Sequence, residues 1–170
     1  FERRFEASGM HDGRLEVFDA SGLVGDGSAR DFSFLVKAPP VAAFGAPALV
    51  AEGAEFTLDA TASMAPDLPA GNRIAEYRWS LGDGQEIVQH SGEAAFGKLA
   101  YRYARHGVYT VTLTVADSAG NPCNSATATR SITVNAPPVA NAGGPRSLVA
   151  GVTADFDAKL SSDADGSIVS

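Results

Sequence analysis

Asp163 and Asp165, separated by one alanine and followed by Gly166, form the segment with the most evident chemistry in this sequence. Alternating carboxylates with a glycine behind them supply hard oxygen ligands and a backbone free to turn, which is what a calcium ion requires. The same residue types also build ordinary turns, because aspartate bonds its own backbone two residues on. Both readings stand at this level. The other reactive side chains are scattered. His11, His90 and His106 fall at no metal-ligand spacing, and His106, just before Gly107, reads as an exposed turn residue. Cys123 is the only cysteine, so it forms no disulfide within the chain, and it reads as a small loop residue. There is no G-x-S-x-G, no Cys–His pair and no glycine-rich phosphate loop; Gly25-Asp26-Gly27 lacks the third glycine and reads as a loop. No catalytic residue is assigned and no cofactor is required. The sequence reads as a non-enzyme.

Any chemistry must be positioned by a scaffold, and composition narrows what that scaffold is. The 170 residues are 45% hydrophobic and 19% charged, a globular balance. Eighteen glycines and nine prolines argue for many turns between short strands. The net charge of −7 and pI near 4.8, with Arg3-Arg4 as the only adjacent basic pair, argue against a nucleic-acid partner. No stretch approaches the roughly 18 apolar residues of a membrane-spanning helix.

An internal repeat organises the chain. Ala38-Pro39-Pro40-Val41-Ala42 recurs as Ala136-Pro137-Pro138-Val139-Ala140, a shift of 98 positions. Without gaps, the same shift carries Arg4 onto Arg102, Gly9 onto Gly107, Leu15 onto Leu113, Asp19 onto Asp117 and Val36 onto Val134. Beyond the prolines it carries Gly45 onto Gly143, Gly53 onto Gly151, Asp59 onto Asp157 and Ser63 onto Ser161. The expected organisation is therefore the last part of one unit (1–38), a whole unit (39–136) and the first part of another (137–170). The fragments lack counterparts of 73–98, and the natural chain is expected to continue in both directions. Paired prolines make each joint a stiff, extended connector.

Within the whole unit the alternation is that of half-buried strands. Tyr109, Val111, Leu113 and Val115 alternate with threonines; Tyr77, Trp79 and Leu81 alternate with Glu76, Arg78 and Ser80; Phe56 and Leu58 form an early strand, and Ile132 and Val134 a last one. Gly82-Asp83-Gly84 supplies a hairpin turn. About seven short strands and no helical period predict an all-β sandwich of the immunoglobulin-like type. The single tryptophan belongs to the core, Phe96 and Tyr101 are isolated, and Phe44 reads as an exposed ring packing between modules.

The segment Tyr77-Arg78-Trp79-Ser80-Leu81-Gly82-Asp83-Gly84 resembles the Y-x-W-x-F-G-D-G signature of PKD domains, with Leu81 in place of the usual phenylalanine. Tyr103, Gly107, the run Tyr109 to Val115, Asp117 and Gly120 resemble that family's second signature, and Ser162 to Ile168 its S-x-D-x-D-G-x-I loop. The resemblance implies tandem PKD-like immunoglobulin-like β-sandwiches, with Trp79 in the core, its indole N–H seeking an acceptor, and Tyr109 as a tyrosine corner. His11 and Gly13 depart from the pattern where the whole unit has Tyr109 and Val111, so the first strand should be weaker or differently packed.

The resemblance also implies sites and a setting. Some such domains bind calcium near the joint, which makes Asn141, Asp163 and Asp165 candidate ligands in the third unit. Asp67, Asn72 and Asp117 are a poorer set in the second, where Ala43 replaces Asn141 and the loop is longer. The implied role is a non-catalytic extracellular or cell-surface spacer or adhesive module of a large bacterial or archaeal protein. Its partners would be neighbouring modules, other copies of itself or a surface polymer. The alternatives are an accessory polymer-binding domain of a secreted protease or chitinase, and a subunit of a surface filament or S-layer.

Overall fold

A computed structural model describes residues 2–17, 29–66, 70–120, 124–144 and 147–169, and among these there is no helix. The first strands are β1 (Gly9–Glu16) and β2 (Ala29–Val36), an antiparallel pair with Gly9 opposite Val36 and Glu16 opposite Ala29. Seven further strands follow. They are β3 (Leu49–Ala51), β4 (Phe56–Asp59), β5 (Ile74–Ser80), β6 (Glu86–His90), β7 (Lys98–Tyr101), β8 (Gly107–Asp117) and β9 (Ser125–Asn135). One sheet has the order β3-β9-β8-β5-β6, and β4 pairs with β7 in the opposing layer. The expected seven-strand sandwich is thus present between the two proline pairs.

The strands form where the alternation places them. Val111, Leu113 and Val115 on β8, Ile132 and Val134 on β9, and Leu58 on β4 are all fully buried. Their outward neighbours are mostly threonines, with Asp59, Ala116, Ser131 and Asn135, so one residue of register slip would turn the core to solvent. Trp79 on β5 is 0% exposed and lies between the layers, opposite Leu113 on β8 and Ile87 on β6.

Phe44 corrects the expectation of an exposed ring. It is 4% exposed and meets the Trp79 ring edge-on at 5.4 Å, while the Arg130 guanidinium covers it at 5.8 Å from its centroid and donates from Nε to the Phe44 carbonyl at 2.7 Å. Its small neighbours Ala42, Ala43 and Gly45 show no alternation to signal burial. Phe96 and Tyr101 are not isolated either. Phe96 packs on Tyr77 at 4.6 Å, and Tyr101 packs on Phe56 and Tyr103 while donating to Asp83.

The 98-residue shift seen in the sequence reappears in the hydrogen bonds. The register of β1 on β2 is that of β8 on β9, residue for residue: Gly9 with Val36 matches Gly107 with Val134, and Glu16 with Ala29 matches Thr114 with Thr127. The bridge between Val41 and Met64 matches that between Val139 and Ser162. The amide of Ala43 donates to Ser63 Oγ at 3.0 Å, and that of Asn141 to Ser161 Oγ at 2.9 Å. Even the departure at His11 conforms: its Nε2 sits 3.1 Å from the Ala7 carbonyl, where the Tyr109 hydroxyl donates to the Arg105 carbonyl at 2.9 Å. The histidine keeps the tyrosine's contact, yet the strand is packed differently, as expected: the Phe32 ring lies over Gly13, where the whole unit buries Val111. Its apolar face is more open, with Leu15 58% exposed where Leu113 is buried.

Candidate functional site

Three segments meet at the end of the sandwich where the chain enters it. The Lys37 side chain comes from the segment after β2, Asn72 from the loop before β5, and Asp117 closes β8. Lys37 Nζ lies 2.5 Å from both carboxylate oxygens of Asp117. The lysine side chain is 4% exposed and the aspartate 0%. Asn72 Nδ2 donates to Asp117 Oδ2 at 3.1 Å and to the Pro66 carbonyl at 3.1 Å, and the Ala119 amide donates to Oδ1 at 3.0 Å. Ser118 completes the closure, donating from Oγ to Asn72 Oδ1 and from its amide to the Arg73 carbonyl. Burial alone would raise the Asp117 pKa; the Lys37 ammonium, the Asn72 amide and the Ala119 N–H outweigh it and hold the carboxyl below the ordinary 3.8.

The structure brings Asn72 and Asp117 together as the sequence suggests. Asp67 lies outside the described residues, as does Cys123. Nothing in the sequence marks Lys37 as a member of this cluster. It sits in a joint with no periodicity, and its partner is 80 residues away.

The third-unit candidates serve the backbone. Asn141 Oδ1 accepts from the Gly143 amide at 2.9 Å, and Asp163 Oδ1 from the Asp165 amide at 3.4 Å. Both Asp165 oxygens accept from the Ala136 amide, at 3.1 and 3.0 Å, so this loop reaches back and holds the second joint. A Cβ on Gly166 would stand 2.6 Å from Asp163 Oδ2, a carboxylate that would have to swing aside to admit it. Among the described residues, no three His, Cys, Asp or Glu side chains gather where a metal ion could be held.

The remaining polar side chains have structural partners. Trp79 Nε1 donates to Gln89 Oε1 at 3.3 Å, and Gln89 Nε2 donates to the carbonyls of Ala95 and Lys98. The acceptor sought by the indole is therefore Gln89, readable in hindsight as the polar member of the inward phase that includes Ile87. Tyr103 donates to the Leu81 carbonyl at 2.7 Å and stacks on Tyr109 at 3.9 Å. The Tyr101 phenol, 2.6 Å from Asp83, is pushed up to about 12 by burial and by that carboxylate, so it stays protonated at neutral pH. His106 is exposed just before β8, as expected, and its Nδ1 and its amide both contact Glu52 Oε2 at 2.9 Å; these bonds lower the Glu52 pKa. His90 faces Glu76 at 3.7 Å, so the three histidines have separate partners. Among the described residues lining a cavity of about 330 Å³ beside Val139 and Ile168, Asp163 is the one titratable side chain.

The core signature, the tyrosine corner and the sheet order now stand together, and the PKD domain family matches residues 37–134. The chain belongs to the PKD domain family. The match begins at Lys37, two residues before the first proline of the joint. PKD domains are non-catalytic and typical of extracellular, multidomain proteins. Among solved structures, the chain is similar to one of carbohydrate-binding modules of promiscuous specificity from the β-sandwich superfamily. Identity there is 26% and the TM-score 0.50, over 63% of this chain and 38% of that one. It is similar also to the PKD1 domain of Vibrio anguillarum Epp (25% identity, TM-score 0.45, covering 60% of this chain and 100% of that one). A third similar structure is the PKD1 domain of the Vibrio cholerae metalloprotease PrtV (28%, 0.42, 57% and 98%). The chain spans 38% of the first of these structures. No curated protein matches it.

Proposed function

We propose that this PKD chain is a non-catalytic spacer of a larger extracellular or cell-surface protein, in which modules follow one another at stiff joints. Residues 1–38 are read as the end of one module and 137–170 as the start of another, flanking the module between the proline pairs. The observation that carries this reading is the recurrence of the same hydrogen bonds, registers and bridges at a shift of 98 on both sides of that module. The mechanism is mechanical. Proline pairs limit the joints, and one side chain fixes each of them, the first joint's own Lys37 on Asp117 and, at the second, Asp165 on the Ala136 amide.

Replacing Pro137 and Pro138 together by glycine is expected to broaden the distribution of interdomain angles, seen in small-angle scattering as a larger radius of gyration and a smeared pair-distance profile. An unchanged profile would sink the stiff-joint reading. A second reading, an accessory polymer-binding domain of a secreted hydrolase, is favoured by the likeness to carbohydrate-binding modules. Pull-down on chitin, cellulose and collagen separates the two, since a spacer alone stays in the supernatant.

A further inference from the structure

We propose that Lys37 is the module's own counter-ion, a tethered ammonium that takes the place of a junction metal on Asp117 and holds this joint without calcium. The inference rests on the spacer reading only in treating the site as a joint.

Saturation is the first argument. An ionised carboxylate offers about four lone-pair sites. Each oxygen of Asp117 faces Lys37 Nζ at 2.5 Å and takes one further donor, Ala119 N–H on Oδ1 and Asn72 Nδ2 on Oδ2. No lone pair of this carboxylate is left to coordinate an ion. A divalent cation would also have to stand beside a buried ammonium, in a setting where like charges are poorly screened.

Position is the second argument. Lys37 follows directly on β2, so its side chain ties the incoming segment to the end of β8. A bound ion could exchange with solvent; a lysine cannot leave. The shift of 98 puts Asn135 at the corresponding place in the next joint, where its amide instead donates to the neighbouring Ala136 carbonyl at 2.6 Å. There the grip has the opposite sign, an aspartate carboxylate on a backbone N–H. The two joints therefore use different chemistry.

Thermal melting of the full chain, with excess calcium and with chelator, tests the proposal. The transition of the intact protein is expected to be the same in both. Lys37→Met keeps most of the stem but strands a buried carboxylate, and is expected to melt at least about 10 °C lower with chelator. The double variant Lys37→Met with Asp117→Asn removes both charges; it is expected to melt above the single variant and to ignore calcium. This arm stays readable if Lys37→Met alone does not fold. A calcium-dependent rise in the intact protein would overturn the proposal. So would a Lys37→Met variant that melts like the parent, or a double variant no more stable than the single one.

Discussion

Replacing Trp79 with alanine is expected to lower the unfolding free energy by about 3–5 kcal/mol, the range for a large buried aromatic cut to a methyl group. The side chain is wholly inaccessible, so the full volume of the indole becomes a cavity. Its walls are β-sheet on one side and Phe44 on the other, and neither collapses readily: Leu113 and Ile87 are fixed by the ladder, and Phe44 is held by Arg130. The loss also strands Gln89, whose Oε1 accepts from the indole while its amide spans two carbonyls. A single domain has a total stability of about 5–15 kcal/mol, so the variant should be largely unfolded in mild denaturant. Trp79→Phe should retain most of the burial and lose the hydrogen bond, at about 1–3 kcal/mol. Urea titration by circular dichroism measures both. If Trp79→Ala cost less than about 1 kcal/mol, Trp79 would not be the centre of the core.

The second large effect is expected at Gly82. It has a φ of +80°, a region that costs an L-residue roughly 1–2 kcal/mol. A Cβ there would also stand 2.7 Å from the Thr110 carbonyl oxygen and 2.9 Å from the Thr110 nitrogen. Those atoms belong to β8 and cannot swing aside as a side chain would. Gly84, two residues on, supplies the control: its φ is +91°, but a Cβ there meets nothing within 4 Å. Gly84→Ala should therefore show the conformational cost alone, and Gly82→Ala should exceed it by more than about 1 kcal/mol. Equal losses in parallel urea titrations would show that strain alone, without the close approach, governs this turn.

These two sites also show why parts of the molecule could be read in advance. Trp79, Leu81 and Val111 to Val115 announce themselves because a strand with one buried face must alternate, and the glycines of the turn mark backbone that other residues resist. Phe44 escaped because its segment pairs through single bridges, at Val41 and Gly45, which impose no alternation. The link between Lys37 and Asp117 escaped for a different reason. It depends on two ends of the chain path meeting at one end of the sandwich, and nothing local to either residue records that meeting. Gln89 falls between these cases: the inward phase was present in β6, but a polar residue there becomes legible only when the indole N–H above it is known to need an acceptor.

The placement of β3 has a consequence of its own. Leu49–Ala51 runs parallel to Thr133–Asn135, with flanking bonds from the Thr133 amide to the Ala48 carbonyl and from the Glu52 amide to the Asn135 carbonyl. One of these strands lies near the way into the module and the other ends at the way out. Tension transmitted along the chain therefore drags the two in opposite directions along their common axis. The ladder between them is loaded in shear, and its bonds must fail together rather than unzip one by one. A pulled module of this design yields late and abruptly.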